Sequence, residues 1–217
     1  MATLIREIAD ENLDLGSRQM ACIIFKNFII NRQKDSKYED YWLKHLDENL
    51  KHNMKEAIVA TLASQHSLVR NQIANIVAAI ASIEIPNKQW GDLLPMLCNN
   101  AQHDDFNVKL SSLTTLGYIC EELQLCENFK SDDLEQSVKN SIIVALVNNI
   151  NKGDTESTQE PCRIAIRALV ASIPYASANF LVQNEKDFIM DKVFMACYSP
   201  NEDIVESALT CLTDITT

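Results

Sequence analysis

The chain has 217 residues and carries 19 Lys and Arg against 30 Asp and Glu, so its formal net charge is −11. An acidic chain neutralises phosphates poorly, which argues against nucleic acid and anionic membranes as partners and favours a basic partner. Its 4 Gly and 5 Pro are too few for the tight turns of a β-sandwich or a dinucleotide-binding fold. No apolar run approaches the length of a membrane-spanning helix. The composition therefore predicts an all-α protein that binds neither nucleic acid nor membrane.

Apolar residues recur at helical spacing along nearly the whole sequence. Between residues 67 and 85, for example, Val69, Ile73, Val77 and Ile80 form one stripe, backed by alanines that allow another helix to approach closely. Short polar links that contain Asp, Ser or Asn separate such segments and can cap the helix that follows. The predicted helices cover residues 2–9, 17–32, 38–46, 48–64, 67–83, 88–102, 107–124, 131–151, 159–174, 185–198 and 201–216.

Several of these helices start in the same way, with a small or apolar residue followed by a basic one. The dipeptides are Ser17-Arg18, Val69-Arg70, Val108-Lys109 and Cys162-Arg163, and an Asp precedes two of them, Asp14 and Asp105. Such an Asp can cap its own helix and pair with the basic residue of a stacked neighbour, so that a ladder of charges forms.

Recurrence at about 40 to 50 residues is typical of HEAT repeats, which are helix pairs stacked into an α-α superhelix. A compact irregular helical bundle is the alternative, but it would not need the ordered recurrence. The predicted fold is therefore a single HEAT-repeat solenoid over residues 1–217. Its approximate units are 1–46, 47–85, 86–124, 130–182 and 184–217.

The chain shows little sign of catalytic or metal-binding chemistry. Its four histidines have no metal-ligand spacing, its seven cysteines form no CxxC pair, and no glycine-rich phosphate loop or GxSxG motif occurs. We expect no enzyme activity, no cofactor, and reduced thiols in the cytosol or nucleus. A helical hydrolase that uses Cys120 with His103 is the alternative from a different class.

One segment is more specific than the repeat pattern. Residues 83–97, IEIPNKQWGDLLPML, resemble the junction of the third and fourth HEAT repeats in the importin-β family. Ile24-Phe25-Lys26-Asn27 is similar to the family's apolar-Lys-Asn signature, and Tyr41-Trp42-Leu43 to its short aromatic helix. Leu116 to Glu121 and Phe188 to Met190 match further along, so the chain resembles a fragment of a longer solenoid, about repeats two to six.

This resemblance implies a nuclear transport receptor that mediates protein import into the nucleus. Its inner helices would bind the GTP-bound small GTPase Ran, and its outer helices would bind phenylalanine-glycine (FG) nucleoporins. A basic cargo, or the adaptor importin-α, would bind the complete receptor. We then expect the protein in the cytoplasm and nucleus, including the nuclear pore and envelope. Another HEAT scaffold, such as a phosphatase scaffold or a vesicle-coat adaptor, is the alternative.

The resemblance also implies contact residues for both partners. The residues that it implies for Ran are Lys26, Asn27, Arg32, Asn75, Lys109 and Glu121. The residues that it implies for an FG groove between two outer helices are Ile143, Val144, Val147, Glu185, Phe188 and Ile189. Lys192 stands where the family usually has an apolar residue at this groove.

Overall fold

The computed structural model describes residues 1–34, 41–127 and 129–216, and the side chains of residues 2 and 30–34 lie outside that description. Every regular element in these ranges is helical, which confirms the predicted all-α class. The α-helices are α1 Ala2–Ala9, α2 Leu15–Lys34, α3 Glu48–Ala60, α4 Ser67–Glu84, α5 Leu93–Asn100, α6 Phe106–Gln124, α7 Gln136–Val147, α8 Glu156–Ser172, α9 Ser177–Leu181, α10 Gln183–Ala196 and α11 Glu202–Thr216. Tyr41–His45 is a π-helical turn, and Thr61–Ala63, Ser131–Asp133 and Ile173–Tyr175 are 3₁₀ turns.

The chain forms two compact units, Met1–Trp90 and Gly91–Thr217. In the first unit, α1 packs on α2 and α3, and α4 packs on α2 and α3. Consecutive helices joined by short links thus form pairs, and equivalent helices of the two pairs stack on one another. In the second unit α5 stacks on α7, while α6, α8 and α11 form a continuous second layer. Each unit is therefore two helices thick.

Two buried charged side chains hold the first unit together. The fully buried Arg18 donates from Nε to the Ile8 carbonyl at 3.0 Å and from Nη2 to Glu11 Oε1 at 2.9 Å. Nη2 also donates to Ser64 Oγ at 3.3 Å, directly after the 3₁₀ turn that follows α3. The expected ladder is therefore only partly right: Asp14 caps α2 by accepting from Ser17, and Glu11 is the carboxylate that pairs with Arg18.

Glu84 is the second buried charge and the acidic residue of the IEIP segment. Its carboxylate accepts a hydrogen bond from Trp42 Nε1 at 2.8 Å and one from Lys55 Nζ at 2.7 Å. The Lys55 ammonium also lies 4.8 Å from the centroid of the Trp90 ring. A buried carboxylate is tolerated because both of its oxygens are paired, and the pairing fixes the aromatic turn and α3 against the end of α4.

The helix boundaries differ from the prediction where turn chemistry decides them. Helix α5 begins at Leu93 and not at residue 88, because Lys88 and Trp90 have φ near +57° and +56° and cannot lie in a right-handed helix. Helix α8 begins at Glu156, before the predicted 159, because the Thr155 and Thr158 hydroxyls cap its first turn. Helix α9 was not predicted. Of the predicted helix 38–46, residues 38–40 lie outside the described residues.

Close approach of α6 and α8 depends on a glycine. A Cβ placed on Gly117 would lie 3.1 Å from the Ala168 Cβ and 3.3 Å from its Cα. A larger side chain there would push the two helices apart, and both of them are buried on the facing side.

We predict that Gly117→Val lowers the free energy of unfolding by about 1–3 kcal/mol, the usual cost of overpacking a tight core. Val has a slightly higher helix propensity than Gly, so the loss reports packing alone. Gly91→Val is the matched control, since a Cβ there meets no atom within 4 Å. Urea unfolding of both variants checks the prediction, and equal midpoints would contradict it.

Candidate functional site

Helices α2 and α4 bring two of the predicted Ran contacts together. Lys26 Nζ donates to Asn75 Oδ1 at 3.3 Å, and Asn75 Nδ2 donates to the Asn71 carbonyl at 2.9 Å, which orients the amide. Lys26 and Asn75 are half-buried, and the neighbouring Asn27 is exposed. An ammonium group has three donors, so the long bond to Asn75 leaves Lys26 able to donate to a partner as well.

The other predicted Ran contacts are spread over both units. Arg32 lies in α2, but its side chain is outside the described residues. Lys109 and Glu121 belong to α6 in the second unit, where Lys109 is half-buried and Glu121 is exposed.

Glu121 borders an open groove of about 570 Å³ between α6, α8 and α11. Arg163 in this groove is held by Glu160, which accepts from its Nε at 3.0 Å and from its Nη2. Three carboxylates and the Arg167 guanidinium line the rest of the groove. Their charges complement a surface that carries groups of both signs, with basic groups in excess. Its lining residues are Glu121, Arg163, Arg167, Val170, Asp203, Glu206, Ser207 and Thr210.

The predicted FG residues lie on α7 and α10 and divide into two sets by exposure. Val144 is 47% exposed and Phe188 is 37% exposed, so both are accessible to a ligand. Ile143, Val147 and Ile189 are buried to within 2% and belong to the packed core. Of the six implied residues, the exposed pair can therefore make direct contact with a ligand, and the buried set cannot. The family resemblance alone does not separate the two sets, because it implies all six residues alike.

A polar network joins α7 to α10 beside this surface. The buried Asn179, on α9, donates from Nδ2 to Asn140 Oδ1 at 2.9 Å and to Glu185 Oε2 at 2.7 Å. Asn140 is one helical turn from Val144, and Glu185 is one turn from Phe188. Gln136 Nε2 also donates to Asn140 Oδ1 at 2.7 Å. Glu185, predicted as a ligand contact, is thus committed to a hydrogen bond within the chain.

Sequence reasoning missed Asn179 together with the helix that carries it. Helix α9 has only five residues, SANFL, too few for a periodic pattern. It also leaves Leu181 88% exposed, directly before the half-exposed Val182 that precedes α10. This short apolar segment between two helices was the signal available in the sequence.

Burial argues against the thiol hydrolase alternative. Cys120 is 2% exposed, and desolvation raises its pKa to about 12, with the Cys98 and Glu121 charges adding to the effect. His103 precedes α6, and the fifteen helical residues from Phe106 to Cys120 span roughly 20 Å. The thiol and the imidazole therefore cannot share a proton.

Within the part of the chain that the structure describes, no group of three or more His, Cys, Asp or Glu side chains is arranged to hold a metal ion. None of the helices described there is long and apolar enough to cross a membrane.

The stacked helix pairs and exposed side chains on both layers define a HEAT-repeat solenoid, a class of protein that presents extended surfaces to partners. Residues 1–64 match the model of the importin-beta N-terminal domain. The importin subunit beta-1 of Arabidopsis thaliana is 33% identical over 99% of this chain and 24% of its own length. The chain is similar to importin-β proteins along nearly its whole length, and it spans about a quarter of the length of the curated relatives that it matches.

Two solved structures of Kap95p, the yeast importin-β, are similar to this one over 98% of the chain and 24% of Kap95p, with 26% identity. One of them, with a TM-score of 0.82, concerns how the binding of Kap95p induces the switch loops of RanGDP to adopt the GTP-bound conformation. The other, with a TM-score of 0.80, is a Kap95–Nup1 complex.

We predict that the native thiols react slowly with iodoacetamide at pH 8. Burial raises the pKa of Cys22 and Cys98 to about 11 and that of Cys120 and Cys211 to about 12, so less thiolate is present than in the unfolded chain, where a thiol has a pKa near 8.5. The native rate should keep rising from pH 8 to pH 10, whereas the rate in urea levels off. A native thiol that reacts fast below pH 8 would support the hydrolase instead. Mass spectrometry of labelled peptides resolves each site.

Proposed function

We propose that this chain is part of a nuclear transport receptor that mediates protein import into the nucleus. It binds GTP-bound Ran through α2, α4 and α6 and FG nucleoporins through α7 and α10, and it acts by binding, without catalysis. The observation that carries the proposal is similarity to importin subunit beta-1 along 99% of the chain. Relatives that are phosphatase scaffolds or coat adaptors would be needed to favour the alternative, whereas the relatives found are importins.

The Ran proposal rests on the surface of α2 and α4. Lys26 is the half-buried cation there, oriented by Asn75, with the exposed Asn27 beside it. A side chain that is already held near one conformation loses less entropy when it binds, so its hydrogen bond to a partner retains more net free energy. Lys109 and Glu121 belong to the same proposal on α6, and Arg32 joins it from the sequence alone.

The nucleoporin proposal rests on the two accessible apolar residues, Val144 and Phe188. A phenylalanine ring that lies between them removes apolar surface from water, and Lys192, one turn after Phe188 on α10, is a charged side chain on the same side of that helix. The buried residues that belong to the core of the same two helices are Ile143, Val147 and Ile189. The peptide backbone on either side of the ring stays hydrated.

The remaining partners and the location follow from the same role. The acidic second unit suits a basic cargo or the importin-α adaptor, which would bind the complete receptor. A receptor that exchanges cargo across the pore is present in cytoplasm and nucleus and meets nucleoporins at the nuclear envelope.

We predict that the chain binds Ran loaded with a GTP analogue more tightly than Ran loaded with GDP. Lys26→Ala should weaken the complex by about 1–3 kcal/mol, the range for a hydrogen bond made by a charged group. Lys186→Ala is the matched control, because it removes the same charge from an exposed position on α10. Calorimetry measures both, and equal affinity for the two nucleotide states would refute the Ran assignment.

We predict that Val144→Asp abolishes the chemical-shift changes that an FG peptide induces, because a carboxylate would replace the accessible apolar contact. Val147→Asp is not a usable test, since Val147 is fully buried and its charge would disrupt the core. The matched control is Leu125→Asp, which places the same charge at an exposed leucine after α6. Ran binding should be the same in the parent and in both variants, and an FG titration unchanged by Val144→Asp would exclude this groove.

A further inference from the structure

We infer that Asn179 is a positioning residue for the proposed nucleoporin groove. It fixes the distance between α7 and α10, and this distance sets the width of the groove. The inference rests on the proposed binding of FG segments by these helices. It assigns a role to a residue outside the set that the sequence implied, on a helix that the sequence did not predict.

A hydrogen-bond network joins α7 to α10 through Asn179. One amide nitrogen, Asn179 Nδ2, uses both of its protons across the gap, toward Asn140 Oδ1 on α7 and toward Glu185 Oε2 on α10. These acceptors lie one turn from Val144 and from Phe188, the two apolar residues that a ring can reach. The amide therefore sets the separation of the two accessible side chains.

Packing alone does not account for an asparagine at position 179. The residue is 4% exposed, and its Oδ1 is a buried acceptor without a hydrogen-bond partner among the described residues. A buried acceptor that lacks a partner costs stability, so an apolar side chain would suit a purely structural role better. The amide is needed because only a side chain with two N–H donors joins both acceptors.

Glu185 belongs to the same network. Its carboxylate accepts a charge-assisted hydrogen bond from Asn179, which is stronger than a bond to a neutral oxygen. Glu185 acts on the groove through α10 by means of this bond, and the apolar ring of the ligand offers it no donor. Glu185 is therefore among the implied contacts because it positions α10, and not because it contacts the ligand.

The test reverses the hydrogen-bonding character of the pair. Asn179→Asp removes both donors and places a carboxylate against Glu185, so the helices should separate and the Kd for an FG peptide should rise at least tenfold. Adding Glu185→Gln to that variant supplies an amide donor to the new carboxylate and should recover most of the affinity. Asn99→Asp, which introduces the same charge at an exposed site on α5, is the matched control and should leave binding unchanged.

Titrations followed by NMR give the Kd and report shifts at Val144 and Phe188, and urea unfolding of each variant separates stability from spacing. Rescue of FG affinity by the double variant, beyond any rescue of stability, supports the inference. Two results would overturn it: Asn179→Asp that binds like the parent, or a double variant no better than Asn179→Asp. If the parent itself does not bind the FG peptide, the proposed nucleoporin function fails, which is a different result from either.

Discussion

Burial of the second-layer helices on two sides is the constraint from which most of this structure follows. Helix α8 packs on α7, on α6 and on α11, so little of its surface remains for large side chains. Its buried positions include Ala165, Ala168 and Ala171, and Gly117 of α6 faces Ala168. Small residues let the backbones approach, and larger apolar residues on either side then complete the burial. A functional surface can only use what this packing leaves exposed.

Charged side chains that are buried between the helices are hydrogen-bonded to several elements, and these bonds hold the elements together. Arg18 and Glu84 are fully buried, and each is bound by groups from at least two other elements. Removing one partner would leave a buried charge uncompensated, so these residues are poor candidates for contacts that form and break. Lys26 and Asn75 differ, because both are half-buried and their mutual bond is long.

The sequence predicted the long helices well and the short or strained segments poorly. The stripe from Val69 to Ile80 is periodic over about three turns, and its helix is present at Ser67–Glu84. Helix α9 has five residues, which are too few to show a periodic pattern. The left-handed backbone at Lys88 and Trp90 could not be predicted, because neither residue is a glycine. For the sites, the family resemblance implied residues on these helices but not the depth of each residue, since depth depends on what packs above it.

The depth of each residue decides how strongly the proposed nucleoporin groove can bind a phenyl ring. A phenyl ring buries roughly 150–200 Å², worth about 4–5 kcal/mol at about 25 cal/mol/Å². With Ile143, Val147 and Ile189 already inside the core, only Val144 and Phe188 offer contact, so the ring keeps part of its surface in water. The entropy of holding the peptide offsets most of the remaining gain. Useful affinity then requires several weak grooves that engage one multivalent chain, which also lets each contact release quickly.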